Sequence, residues 1–356
     1  MKLTIEQKPL IATLKRLAGI VENRNTIPIL ANVAIEAADG KITFRATDLD
    51  IEATATIAST VEAEGSCTVG AKMLADIVSK LANGSLVAIT CDEGKMTITS
   101  GRSRFSLATL PIQDFPVMAS AEYASTFTMQ SDTLHDLLGV AFCASTEETR
   151  YYLQGVYLHP SDGRTVAVAT NGHQLAMVSS DTAHDFPGVI IPRKTVGEVS
   201  KGFADDEIEI SISETKIRFA TPDFTIVSKV IDGTFPDYTR VIPKNNNHKA
   251  TFDAADMRSV IDRVTAVSDE RSRGVLLSIG VNGINVSARS STSEGTDGII
   301  ADIAGDPQEV GFNGGYLLDV MRQFSGQATL QYGEAGSPAL FTRDDGAVFV
   351  VMPMRV

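Results

Sequence analysis

The sequence is short of cysteine, histidine and cations, and it has no long apolar run. Its 356 residues hold three cysteines, Cys67, Cys91 and Cys143, with neither CxxC spacing nor an even count. That excludes a disulfide framework and a cysteine-ligated zinc site. Reduced core thiols are expected. No stretch of roughly 18 apolar residues could span a bilayer, and Glu6, Gln7 and Lys8 interrupt the opening "MKLTIEQKPL", so no signal-peptide core forms. A cytoplasmic protein with no membrane partner follows. Lys and Arg total 31 against 44 Asp and Glu, a formal charge of −13. This balance favours solubility and by itself counts against nucleic acid, because phosphate neutralisation needs cations.

Catalytic signatures are missing too. Gly40-Lys41 and Gly94-Lys95 lack the earlier glycine and the following Ser or Thr of a phosphate-binding loop. His135, His159, His173, His184 and His248 fall at no metal-ligand spacing, and neither GxSxG nor HExxH occurs. Asp48 with Asp50, or Asp205, Asp206 and Glu207, offer carboxylates for Mg²⁺ in a metal-dependent enzyme, the competing reading. Acidic pairs in turns are far more often solvated. "TNGHQL" (170–175) brings loop, glycine and histidine together without a catalytic partner. The expectation is a non-enzyme with no cofactor and no metal.

What the chain does have is a repeat. "LTIEQKPLIATLKRLAGIVENR" (3–24), "FTMQSDTLHDLLGVAFCASTEETR" (127–150) and "ATFDAADMRSVIDRVTAVSDERSR" (250–273) each read as short strand, polar break, apolar-periodic helix and closing arginine. A second helix follows in each third, at "VGAKMLADIVSKL", "IPRKTVGEVSKGF" and "FNGGYLLDVMRQF", and then strands. Each third also looks halved, so one helix plus a strand meander is used six times. With 43% hydrophobic residues there is ample core for this. The fold class is α+β: three similar domains, each two helices backed by antiparallel β-sheets, at 1–121, 122–246 and 247–356. Linkers are expected at "VMASAEYAST" (117–126) and "IPKNNNHK" (242–249).

Three of the helices segregate charge. Leu10, Leu14 and Leu17 form a stripe with Lys8 and Lys15 off it; Leu74, Ile77, Val78 and Leu81 do the same against Lys72 and Lys80; Val196, Val199 and Phe203 oppose Lys194 and Lys201. Lysine-biased faces on an acidic chain point to a charged surface kept for a purpose; plain solubilisation explains them equally well.

"NTIPILANV", "ATDLDIE", "GRSRFSLATLP", "RYYLQGV", "VATNGHQLA", "VSKVIDGTFPDYTRVIP", "GFNGGYLLDV" and the terminal "VVMPMRV" run in order over essentially the whole chain. Together they resemble the family of bacterial DNA polymerase III β subunits, the replicative sliding clamps. The resemblance implies the DNA clamp fold and a homodimeric ring of six domains that encircles duplex DNA without regard to sequence. It implies a processivity factor that tethers the replicative polymerase catalytic subunit, the clamp loader, translesion polymerases and repair proteins carrying clamp-binding motifs. A ring holds duplex by topology, so weak phosphate contacts suffice and the acidic charge ceases to be an objection.

By the same resemblance, Arg24, Tyr151 and Tyr152 match DNA-touching positions, with Lys8, Lys15, Lys72, Lys80, Lys194 and Lys201 as candidates for the lining; Glu147 replaces a neutral glutamine of relatives. The peptide-binding pocket maps to Arg150, Leu153, Thr170, Gly172, His173, Leu175, Pro236, Arg240, Val241, Asn313, Tyr316, Val350, Val351, Met352, Pro353, Met354 and Arg355. Pliant methionines beside a strand-breaking proline suit a groove that accepts several ligands. Gln174 stands where a basic residue is common, and Gly314-Gly315 where bulkier side chains are. Phe105 and Leu107 match an interface knob that faces Ala266 and Val267. Those two are smaller than in relatives, and each missing methylene removes about 0.8 kcal/mol of burial. A ring that opens more readily is expected.

Overall fold

A computed structural model describes residues 1–22, 26–92, 94–204, 207–269 and 273–356. Among them are six α-helices: α1 (Gln7–Leu17), α2 (Ala71–Ser79), α3 (Ser131–Leu138), α4 (Arg193–Gly202), α5 (Ala254–Thr265) and α6 (Gly314–Met321). The element order repeats in every third: a strand, a helix, four strands, a second helix, three strands, with a short extra strand at Thr60–Ala63 and at Asp302–Ala304. Helix plus meander therefore recurs six times, as the periodicity implies. The linkers are shorter than expected, because the strands Ser125–Gln130 and His248–Asp253 begin inside both.

The chain packs as two compact units, and the middle third is divided between them. Residues Met1–His135 and Asp185–Ile231 make the first. Thirteen of its strands form one antiparallel sheet in which Ile51–Ala58, third strand of the first meander, pairs with Phe224–Lys229, last strand of the middle third, Ala53 opposite Ile226. In the second unit, Asp136–His184 with Asp232–Val356, the pattern recurs: Gln174–Ser180 pairs with Val348–Val351, Ala176 opposite Phe349. Each unit is thus centred on a junction between thirds, where main-chain hydrogen bonds carry a sheet from one into the next. A separate four-stranded sheet in the second unit ends at Glu294–Ile300.

In the first unit α1 buries Leu10, Leu14 and Leu17, and its buried Gln7 donates to the Val78 carbonyl of α2 at 3.0 Å. Leu74 and Val78 of α2 are buried, whereas Ile77 and Leu81, expected there too, are only half-covered. Arg16 joins α1 to α4: its Nε donates to the Gly202 carbonyl at 3.0 Å and its guanidinium lies 3.9 Å from the centre of the Phe224 ring. A cation over an aromatic face adds to the burial. In the second unit α5 packs against α6, with Val260, Val264, Leu317 and Val320 among their buried residues.

Candidate functional site

The turn Thr170–Gln174 shapes one wall of a cavity in the second unit. Thr170 Oγ1 donates to the Gln174 carbonyl at 2.7 Å and accepts from Gly172 N at 3.1 Å. Asn171 Oδ1 accepts from the backbone N–H groups of His173 and Gln174, both at 2.9 Å. The loop closes because residue 172 takes φ +87°, a conformation that costs glycine least.

Chain-end residues form the adjoining wall. Leu175 lies opposite Val350, Met352 N donates to the His173 carbonyl at 2.8 Å, and Met354 N donates to Gly311 at 2.8 Å. The tail is therefore held by main-chain bonds up to Met354. The third wall is the segment 236–241, whose single helical turn Tyr238–Arg240 is capped by Asp237. Asp237 accepts from Thr239 and pairs with Arg240 at 2.9 Å, which together hold its carboxyl below the usual range.

These walls enclose about 190 Å³ lined by Leu153, Thr170, Gly172, His173, Gln174, Leu175, Pro236, Asp237, Tyr238, Val241, Val350 and Met352. Nine of the expected pocket residues lie on that lining. The other eight do not, and several of them brace it. Arg150 Nη1 donates to the Asn171 carbonyl at 3.2 Å while its Nε meets Glu147 at 3.3 Å. Tyr316 stacks on His173, centroids 6.1 Å apart, and Asn313 caps α6 by accepting from Gly315 and Tyr316. Val351 is fully buried; Pro353 and Met354 are half-buried, and Arg240 and Arg355 are exposed. Gln174, Asp237 and Tyr238 line the cavity without having been assigned to it. Their signal was present in "NGHQL" and "FPDYTRV", where they neighbour assigned positions.

Lys8, Lys15, Lys72 and Lys80 are exposed on α1, on α2 and at its end, and no carboxylate partner is within reach among the described residues. Lys194 and Lys201 differ. Lys194 Nζ lies 2.5 Å from Asp48 and 3.4 Å from Glu22, and Lys201 lies 3.0 Å from Glu198. Burial works against the Lys194 charge, but Asp48 and then Glu22 outweigh it and hold its pKa above the ordinary value. Tyr151 is exposed and meets Tyr152 edge-on at 5.7 Å. Arg24 lies outside the described residues.

The acidic pairs are engaged elsewhere. Asp48 Oδ1 accepts from Asp50 N at 2.9 Å and Ile51 N at 2.7 Å, its other oxygen faces Lys194, and Asp50 pairs with Lys229 at 2.9 Å. Asp205 and Asp206 lie outside the described residues, and Glu207 accepts from Thr128 at 3.1 Å. Among the described residues no three His, Cys, Asp or Glu side chains are grouped to hold a metal. Nor is any described helix long and apolar enough to cross a membrane. Cys67 and Cys143 are buried and their thiols are pushed up by desolvation. The interface residues split: Phe105 and Val267 are half-buried and Ala266 is exposed, but Leu107 points into the chain's own core opposite Met96.

Residues 1–119 match the N-terminal domain of the DNA polymerase III beta subunit, 128–237 its central domain and 239–355 its C-terminal domain. The chain belongs to the DNA polymerase III β-subunit family, the bacterial sliding clamps. It is 39% identical over 372 residues to the beta sliding clamp of Caulobacter vibrioides and 33% over 373 to that of Escherichia coli K12, each comparison covering 100% of both chains. The sliding clamp of Bartonella birtlesii, solved bound to griselimycin, superposes with a TM-score of 0.96 at 39% identity, covering 100% of both chains. The griselimycin-bound clamp of Pseudomonas aeruginosa does so at 0.94 and 34%, again over 100% of both. This sliding clamp is accordingly built of three DNA clamp domains and is a non-catalytic subunit of DNA polymerase III.

Proposed function

We propose that two copies of this clamp close head to tail into a ring around duplex DNA and hold partner proteins through the cavity at Leu153, Leu175, Val350 and Met352. The observation that carries the ring is the strand arithmetic at the junctions. Twice, the third strand of one third pairs with the last strand of the next, Ile51–Ala58 with Phe224–Lys229 and Gln174–Ser180 with Val348–Val351. The same rule leaves two strands over. Glu294–Ile300 ends its sheet, and Ser103–Leu110 meets Gly65–Gly70 only through Thr109 and Leu110, so its outer edge from Ser103 to Ala108 is free among the described residues. Open edges invite pairing, and a second copy supplies the complement at both ends. Each copy then contributes three domains, with boundaries near residues 121 and 246.

Within such a ring Lys8, Lys15, Lys72 and Lys80 supply the sequence-blind phosphate contacts, and Tyr151 and Tyr152 touch the DNA as well. Lys194 and Lys201 contribute less, because their charges are already shared with carboxylates. The partners are the replicative polymerase, the clamp loader, translesion polymerases and repair proteins, each inserting a short segment into the mostly apolar cavity, in the cytoplasm. Loading purified clamp onto nicked circular DNA tests the proposal. Retention on the circle with loss on linearisation is expected, together with a mass of two chains by light scattering. A single-chain particle, or equal retention on both forms, overturns it.

A further inference from the structure

The segment 235–238 clasps two rings that project from the neighbouring strand Gly155–Ser161. Tyr157 and His159, two residues apart, share one face of that strand. Phe235 stacks on Tyr157 with centroids 5.0 Å apart and planes 11° from parallel; Tyr157 stacks on His159 at 4.5 Å and 19°. Tyr238 closes the stack from the other end, its ring 5.7 Å from the imidazole and its hydroxyl 3.0 Å from His159 Nε2. The proton positions follow from chemistry. His159 Nδ1 lies 3.1 Å from the Pro160 carbonyl, which can only accept, so Nδ1 carries the hydrogen. In a neutral ring Nε2 is then the acceptor, and the Tyr238 hydroxyl donates to it.

Between Phe235 and Tyr238 lie Pro236 and Asp237, and all three of Pro236, Asp237 and Tyr238 line the cavity. We propose that His159 is a positioning residue for the partner-binding cavity: as a neutral acceptor it fixes the Tyr238 hydroxyl and, with the ring stack, the wall 236–238. This rests on the cavity being the partner site. It also sets the polarity shown to a ligand. While Tyr238 donates to His159, its oxygen can only accept from a ligand. Once the imidazole is charged, Nε2–H donates to that oxygen and the hydroxyl proton turns away.

The groups facing this pair are Tyr157 and Phe235 in the stack, with Asp162 and Asp237 near the Tyr238 hydroxyl. Burial of Tyr238, then Tyr157 and both carboxylates, raise its pKa and keep its proton on. Desolvation lowers the His159 pKa, which leaves the ring neutral at ordinary pH.

The experiment uses the full chain and griselimycin as the probe, read by calorimetry or surface plasmon resonance. His159→Phe keeps a ring in the stack and removes the acceptor; Tyr238→Phe removes the donor; His159→Gln offers an amide oxygen in its place. The loss of one neutral hydrogen bond predicts affinity about 3–10-fold weaker in each Phe variant. The double variant is expected to be no weaker than either single one, and His159→Gln to recover most of the loss. As pH drops below the ordinary histidine range, wild-type affinity is expected to fall by more than that of His159→Gln, a comparison that cancels every group the two proteins share. Additive losses, unchanged affinity in His159→Phe, or identical pH profiles overturn the positioning role. Failure of wild-type protein to bind griselimycin overturns the cavity reading itself, a separate result.

Discussion

Asp48 separates a structural reading of the acidic turns from a metal-binding one, and the geometry predicts how far each substitution will go. Its side chain is 6% exposed and Lys194 39%, so their 2.5 Å ion pair is only partly shielded from water. Such a pair contributes about 0.5–1 kcal/mol once screening is allowed for. The other carboxylate oxygen caps two N–H groups, of Asp50 and Ile51. Asn retains an oxygen for that cap and loses only the charge, so Asp48→Asn should destabilise the first unit by about 0.5–1 kcal/mol. Ala removes both, leaving two poorly hydrated donors, and the total rises to about 2–3 kcal/mol. At roughly 2–4 °C per kcal/mol, that is a fall of about 4–12 °C for Asp48→Ala and about 1–4 °C for Asp48→Asn in the transition assigned to this unit. Scanning calorimetry with and without millimolar Mg²⁺ is the assay. Equal melting of wild type and Asp48→Ala, or a Mg²⁺-dependent rise in wild type that Asp48→Asn abolishes, would refute the assignment.

Four further outcomes follow from the same contacts. Removing Met352–Val356 deletes the bonds to His173 and Gly311 and one side of the cavity, so griselimycin binding and polymerase stimulation should vanish while sedimentation still shows a dimer; an unfolded or fully active truncation contradicts the pocket. Replacing Lys8, Lys15, Lys72 and Lys80 by Ala should flatten the salt dependence of DNA retention by more than replacing Lys194 and Lys201, each lost phosphate contact lowering the slope by about 0.9. Leu107→Ala should cost about 2–4 kcal/mol of chain stability, whereas Phe105→Ala should chiefly raise the dimer dissociation constant by equilibrium sedimentation. A dimer that persists at picomolar concentration would contradict the expected weak contact at Ala266 and Val267. Lys194 has a folded pKa above its ordinary 10.5, so its contribution is complete below 10.5 and disappears as pH climbs through the folded value. Lys194→Met should therefore lose less stability than wild type over that alkaline window.

Helices and meanders were legible because burial on one side imposes a period, and the six-fold unit followed from it. Pairing across thirds was not legible. Ile51–Ala58 and Phe224–Lys229 are each ordinary half-buried strands, and nothing local says that they adjoin. The lysine faces show the same limit in charge: Lys194 reads as free in its helix, yet its partner Asp48 is 146 residues away. The Lys201–Glu198 pair, three residues apart on α4, was within reach of spacing alone. Phe105 and Leu107 share one face of their strand, and alternation alone does not say that the second is buried in the chain's own core while the first stays half-buried. The Gln174, Asp237 and Tyr238 lining depends on how two loops converge, which sequence adjacency only hints at.

The two junctions explain why one of them holds a cavity. "TDLDI" (47–51) and "TNGHQ" (170–174) make the same turn bond for bond. Thr47 donates to the Ile51 carbonyl at 2.9 Å as Thr170 does to Gln174; Asp48 accepts from residues 50 and 51 as Asn171 does from 173 and 174; and Lys229 N donates to the Asp50 carbonyl at 2.9 Å as Met352 N does to His173. Only the side chains differ. At the first junction Asp50 and Lys229 join in an ion pair, while at the second their counterparts, His173 and Met352, face the cavity. The residue at the left-handed position differs as well: Leu49 at φ +80°, Gly172 at φ +87°. A branched side chain there carries strain of about 1 kcal/mol or more, so Leu49→Gly should leave stability unchanged or raise it by up to about 1 kcal/mol despite the flexible unfolded chain. Gly172→Ala should do the reverse. It introduces the strain and brings a Cβ to 3.0 Å from Arg150 Nη1, which braces the Asn171 carbonyl. Urea unfolding of both variants beside griselimycin binding checks the pair. A stabilising Gly172→Ala, or a Leu49→Gly that costs more than about 1 kcal/mol, would mean that the two turns are alike in outline only.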